Sequence, residues 1–91
     1  MAAIFQTYMP GFADIRACVV DSPGAADISV FLVNSLGAAH TDWFWFITKH
    51  QGQATSRIFF GSRGTAELLV HFVNLRAQAR WIRPHRLQNR L

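Results

Sequence analysis

The sequence predicts an all-β domain, and three observations carry that expectation. A turn phrase of consensus Ser-x-Gly-x-Ala-Asp recurs six times along the 91 residues, its alanine advancing in steps of 13, 13, 15, 12 and 13. Between the phrases lie short runs rich in Val, Ile, Phe and Trp, residues that suit a pleated surface. No stretch outside the arginine-rich C-terminus sustains a helical apolar period. Six short strands at 12–15-residue spacing, divided by Gly/Pro turns, make one compact, closed β domain. A period of 13 is shorter than the common solenoid repeats, so the units close on one another rather than stack as an open array.

In chain order the expected strands are Ile4–Thr7, Arg16–Asp21, Ser29–Asn34, Trp43–Thr48, Arg57–Phe60 and Leu69–Asn74, with Trp81-Ile82 docking back as a last short strand. The first turn, Met9-Pro10-Gly11-Phe12-Ala13-Asp14, and the second, Ser22-Pro23-Gly24-Ala25-Ala26-Asp27, place Pro and Gly as a type II turn does, with a left-handed glycine. A competing reading makes Ser22 an N-cap and Pro23 the first residue of one helical turn. The third, fourth and fifth turns carry Gly37 with Ala39, Gly52 with Ala54, and Gly64 with Ala66. The small alanine implies close backbone approach, and the polar residue after it is placed to accept backbone hydrogen bonds within the turn. Two strands are apolar on both faces, Ser29–Val33 and Trp43–Ile47. Such a strand is covered on both sides, by its own fold or by a partner.

Composition narrows the function classes. Only 15% of residues are charged, well below the ~25% of an ordinary domain. No apolar run exceeds five residues, against about 20 for a spanning helix, and no basic, apolar leader opens the chain. One cysteine makes no internal disulfide, which fits a reducing cytoplasmic setting. The net charge of +4 divides unevenly: residues 1–74 sum to −1 and residues 75–91 to +5, through Arg76, Arg80, Arg83, Arg86 and Arg90. Basicity therefore belongs to the tail. Residues 1–82 read as the β-repeat domain and 83–91 as a basic C-terminal tail, whose Pro84 interrupts any helix.

The unit Val20-Asp21-Ser22-Pro23-Gly24-Ala25-Ala26-Asp27-Ile28-Ser29-Val30-Phe31-Leu32-Val33 resembles a bacterial family of about 90 residues. That family repeats a V-D-S-x-G-x-A-D phrase and is known only as a domain of unknown function. The likeness runs from Ile4 to Trp81 and includes the aromatic strand Trp43–Ile47 and the closing Ala79-Arg80-Trp81. More distantly the chain is similar to septoil-knot proteins, which wind strand-and-turn repeats into a seven-crossing torus knot. The resemblance implies a β-rich, repeat-built, knotted domain, and it implies no activity, cofactor or catalytic residue. The chain departs from the phrase at Tyr8-Met9 in the first unit, at His50-Gln51 and a two-residue insertion in the fourth, and at Leu75-Arg76-Ala77 in the sixth.

Catalytic chemistry finds little support. His40, His50, His71 and Cys18 show no metal-ligand spacing, and the glycines stand too far apart for a phosphate loop. Asp14, Asp27 and Glu67 recur at one place in the unit, as turn residues do and catalytic residues need not. No metal, cofactor or catalytic residue is expected. The first expectation is a non-enzymatic structural or interaction module, self-associating as a homodimer or other homo-oligomer through Trp43, Phe44, Trp45 and Phe46. The second is a binder of anionic partners, nucleic acid included, through Arg76, Arg80, Arg83, Arg86 and Arg90. The third is a small enzyme pairing His50 or His71 with an acid. No membrane partner is expected.

Overall fold

A computed structural model describes the whole chain, residues 1–91. It contains seven strands: β1 Ala2–Gln6, β2 Ile15–Val19, β3 Ile28–Leu32, β4 Phe44–Ile47, β5 Ser56–Phe60, β6 Leu68–Phe72 and β7 Arg80–Trp81. The expected all-β class holds. Six strands begin one or two residues before the expected positions, because the residue after each turn alanine enters the ladder at once. The Asp14 N–H, for example, already donates to the Arg57 carbonyl at 2.8 Å.

Strands β1 to β6 pair in parallel and close into a barrel in the order β4-β1-β5-β2-β6-β3, with β3 returning to β4. The chain therefore circles the barrel twice. β1, β2 and β3 take alternate places on the first circuit, and β4, β5 and β6 fill the gaps on the second. β7 lies antiparallel beside the first half of β3.

The stagger of this barrel explains how such short connections suffice. Gln6 at the end of β1 and Ile15 at the start of β2 are both level with Ile58. Val19 and Ile28 are both level with Val70. Phe60 and Leu68 are both level with Ala17. One strand thus ends about 10 Å, two strand spacings, from where the next begins. Residues 7–14, 20–27 and 61–67 span that gap, whereas a parallel crossover ordinarily needs a dozen residues or more.

The core follows from the two-residue period. Ile4, Ala17, Val30, Trp45, Ile58 and Val70, one from each strand, are fully buried. Two residues earlier, Ala2, Ile15, Ile28, Ser56 and Leu68 are buried as well. Trp45 supplies the bulk and meets Phe72 edge-to-face at 5.9 Å.

Each repeat phrase forms one 3-10 turn, beginning at Pro10, Pro23, Leu36, Gln51, Arg63 and Arg76. The alanine closes the turn with its N–H, as Ala26 does onto the Pro23 carbonyl at 3.1 Å. This corrects the type II reading. Ser22 and Pro23 do stand at the N-cap and first position of a helical turn, and no glycine has positive φ. A Cβ added at Gly11, Gly24, Gly37, Gly52 or Gly64 meets nothing within 4 Å. The sixth turn has Ala77 at its centre, showing that the turn accepts a side chain there.

The two-faced strands are covered internally. The inner face of β4 is Trp45. On its outer face Phe44 packs against Phe31, Val33, Ala39 and Ala79, and the Arg76 guanidinium lies 4.8 Å from its ring centroid. The sixth turn is therefore a roof over β3 and β4.

Candidate functional site

Because the six barrel strands are parallel, their first residues mark a start rim and their last residues an end rim. The end rim carries Gln6, Val19, Leu32, Ile47, Phe60 and Phe72. Phe60 and Phe72 fold against Trp45, with centroids 6.5 and 5.9 Å away. Val19, Leu32 and Ile47 remain exposed, at 50, 48 and 42%.

The connections leaving β1 and β4 extend this apolar surface. Where β2, β3 and β6 are followed by Val20, Val33 and Val73, these carry Thr7 and Thr48. Both threonines are buried, and their hydroxyls accept the N–H two residues on: Met9 at 3.2 Å and His50 at 3.1 Å. The resulting bends lift Tyr8 (81% exposed) and Met9 (59%) into solvent. Between them and Ile47, Thr48 and Lys49 lies an open groove of about 530 Å³, floored by Phe5 and Gln6. The two departures from the repeat phrase, in units one and four, are thus neighbours in space. Sequence singled them out separately, and only the β1–β4 pairing brings them together.

The start rim is closed by residues 80–91. Leu87 and Leu91, 7 and 4% exposed, join the barrel core. The buried carboxylate of Asp42 holds this segment. It accepts the Trp81 indole N–H at 3.0 Å, the Leu91 N–H at 3.3 Å and the Asn89 N–H. His85 stacks on Trp81 and accepts the Leu87 N–H at Nδ1, so Nε2 carries the hydrogen donated to the Glu67 carbonyl at 2.9 Å. Asn89 takes the one left-handed conformation in the chain, at φ 66°, which asparagine tolerates. None of Asp42, Leu87 or Leu91 stood out in the sequence. A leucine pair among arginines was the available signal.

The candidate interface Trp43, Phe44, Trp45 and Phe46 does not form an exposed aromatic patch. Trp45 is fully buried, Phe44 is 9% exposed beneath Arg76, and Trp43 and Phe46 are half-buried. The reason is the closed barrel with its roof, which uses both faces of β4 internally.

A family model described as the 7(1) septoil knot domain matches residues 1–82. The chain belongs to the septoil knot domain family. This is a family of small domains of unknown function, and the resemblance read from the repeat is confirmed. The double winding, with each strand of the second circuit set between strands of the first, is the winding a two-stranded torus knot requires. No curated protein and no solved structure matches the chain. Within the septoil knot domain no helix is long and apolar enough to cross a membrane.

The other candidate groups are dispersed over the knot. Arg76 stacks on Phe31 and Phe44. Arg83 donates to the Gly24 carbonyl at 3.0 Å and lies 3.6 Å from Asp27, and Arg86 pairs with Glu67 at 3.3 Å. Arg80 and Arg90 are exposed in separate segments. The five arginines form no single stripe. No group of three His, Cys, Asp or Glu side chains gathers to hold a metal. The repeated polar residue clamps a neighbouring strand, not its own turn. Asp14 accepts the Arg57 N–H at 2.8 Å, Asp27 the Leu69 N–H at 2.9 Å, and Thr55 the Ala3 N–H at 3.0 Å.

Proposed function

We propose that the domain is a non-enzymatic interaction module that self-associates through its end rim. The observation carrying this reading is the gathering of Tyr8, Met9 and Ile47, all exposed, around one groove, with the exposed Leu32 at the end of the neighbouring strand β3. A second copy is the occupant that fits best. The patch holds both a projecting side chain, Tyr8, and a concave groove, which a two-fold interface needs in order to be self-complementary. Lys49 is the only charge lining the groove, so the face offers little to select an acidic or basic partner, and apolar burial is what it offers.

Light scattering across a hundredfold concentration range tests the reading. The expected result is a concentration-dependent dimer that Ile47→Lys abolishes, with unfolding free energy changed by less than about 0.5 kcal/mol, as befits an exposed site. A strict monomer at the highest concentration overturns it.

A further inference from the structure

A second place on the molecule carries chemistry that the end rim does not explain. Ser29 on β3 is level with His71 on β6 and with Arg80 on β7. Paired residues of adjacent strands share a face. Ile28 and Val30, on either side of Ser29, point into the core. His71, Ser29 and Arg80 therefore stand side by side on the outer face of three strands. They line a cavity of about 450 Å³ with Gln78, walled by Pro23, Val73 and Ile82.

Two details distinguish this row from ordinary surface. The Ser29 hydroxyl is buried, with the residue 1% exposed, and it has no hydrogen-bond partner. A buried unpaired hydroxyl is costly, and the residue that carries it borders the cavity. The His71 Nδ1 lies 3.0 Å from the Val20 carbonyl. A carbonyl only accepts, so Nδ1 carries the hydrogen, and the neutral ring presents Nε2 as an acceptor. No carboxylate lines the cavity. Asp27, just before β3, is engaged by the Leu69 N–H and lies 3.6 Å from Arg83.

We propose that this row binds a small oxyanion that carries its own hydroxyl hydrogen, hydrogen phosphate being the simplest. Arg80, the Gln78 amide and the Ser29 hydroxyl donate to its oxygens, and the His71 Nε2 accepts its O–H. A phosphodiester of a nucleic-acid backbone lacks that hydrogen and fits less well, as does sulfate. Gln78 and Arg80 come from the sixth repeat phrase, where Arg80 stands at the place of Asp14 and Asp27 in earlier units and opens β7, the strand that breaks the parallel order.

Titration of the full chain with inorganic phosphate at pH 8, where an ordinary imidazole is neutral, followed by NMR shifts, tests the assignment. The expected shifts centre on Ser29, His71 and Arg80. Sulfate binds at least several-fold more weakly. Arg80→Gln weakens phosphate binding roughly tenfold, as loss of a charge-assisted hydrogen bond does, while Arg83→Gln and Arg86→Gln leave it unchanged. Ser29→Ala weakens binding with an unfolding midpoint that is unchanged or raised, since it removes an unpaired hydroxyl. No shift at 10 mM phosphate, shifts insensitive to Arg80→Gln, or equal binding of sulfate overturns the proposal.

Discussion

The start rim and the end rim of the barrel are made by the same repeat, yet only one is covered. At the start rim, residues 80–91 fold back, bury Leu87 and Leu91, and are pinned by Asp42. At the end rim, Val19, Leu32 and Ile47 stay in solvent beside Tyr8 and Met9. A barrel built from this unit has apolar side chains at both ends of most of its strands, so each rim gains from a cover. In this chain the cover for the start rim lies outside the family match, which ends at residue 82. Residues 1–91 leave the end rim open, and in our proposal a second copy covers it.

The largest test of this contrast removes the cover. Truncation after Ile82 takes away two buried leucines, each worth about 1.5–3 kcal/mol, and leaves the Asp42 carboxylate with the Trp81 indole but without the Asn89 and Leu91 donors. The expected loss is about 4 kcal/mol in urea unfolding, or failure to fold at 37 °C. Truncation without measurable loss would make the segment an ornament and end the contrast. A gentler variant, Asp42→Ala, keeps the leucines and strands the Trp81, Asn89 and Leu91 donors. The expected loss is about 3 kcal/mol, with hydrogen exchange accelerated in residues 81–91 and unaltered in β1 and β5.

The connection after β5 sharpens the contrast from the other rim, because it holds two glycines with opposite expectations. A Cβ at Gly61 stands 2.6 Å from the Phe59 ring, whereas one at Gly64 meets open space. Gly61→Ala is expected to cost about 1–2 kcal/mol through overpacking. Gly64→Ala is expected to stabilise by about 0.4–1 kcal/mol, since its backbone already suits alanine and the unfolded chain loses freedom. Thermal unfolding of the two variants gives the signs directly.

How far the sequence reveals this molecule depends on the range of the interaction. The repeat and its six strands were visible in the spacing of Gly24, Ala26 and their counterparts, because turn chemistry is local. The order of the strands was not, because pairs such as Gln6 with Ile58 are set by the barrel's closure and leave no local mark. The glycines suggested left-handed turns by composition, and the backbone makes 3-10 turns that need none. The doubly apolar strand Trp43–Ile47 admits, by its pattern, cover by the fold itself or by a partner, which makes Trp43, Phe44, Trp45 and Phe46 candidates for an interface. Its outer face is covered by Arg76, a residue whose role is invisible until the sixth turn is placed above it. The groove at the end rim was half legible, since Tyr8-Met9 and His50-Gln51 were marked as departures, though their adjacency was not.

The smallest expected effect compares two halves of the start rim itself. Asp27, beside the C-terminal segment, lies 3.6 Å from Arg83 and accepts the Leu69 N–H. Asp14, away from Arg83, is engaged by Arg57 alone, through its guanidinium at 3.0 Å and its N–H at 2.8 Å. The Arg57 side chain holds the Asp14 carboxyl below the usual carboxylate range, against a weaker opposing effect of burial. A carboxyl lowered in the folded state contributes stability that is fully present above its unfolded value, near pH 4. That contribution is lost as the pH falls through the lowered folded value. Asp14→Asn is therefore expected to flatten the acid side of the stability curve below about pH 4 and to leave its slope near neutral pH unchanged. Solvent screens the exposed pair, so the change is small. Unfolding midpoints measured from pH 2 to pH 6 resolve it, and an acid limb identical in the two proteins would show that the Asp14 clamp acts by geometry and not by charge.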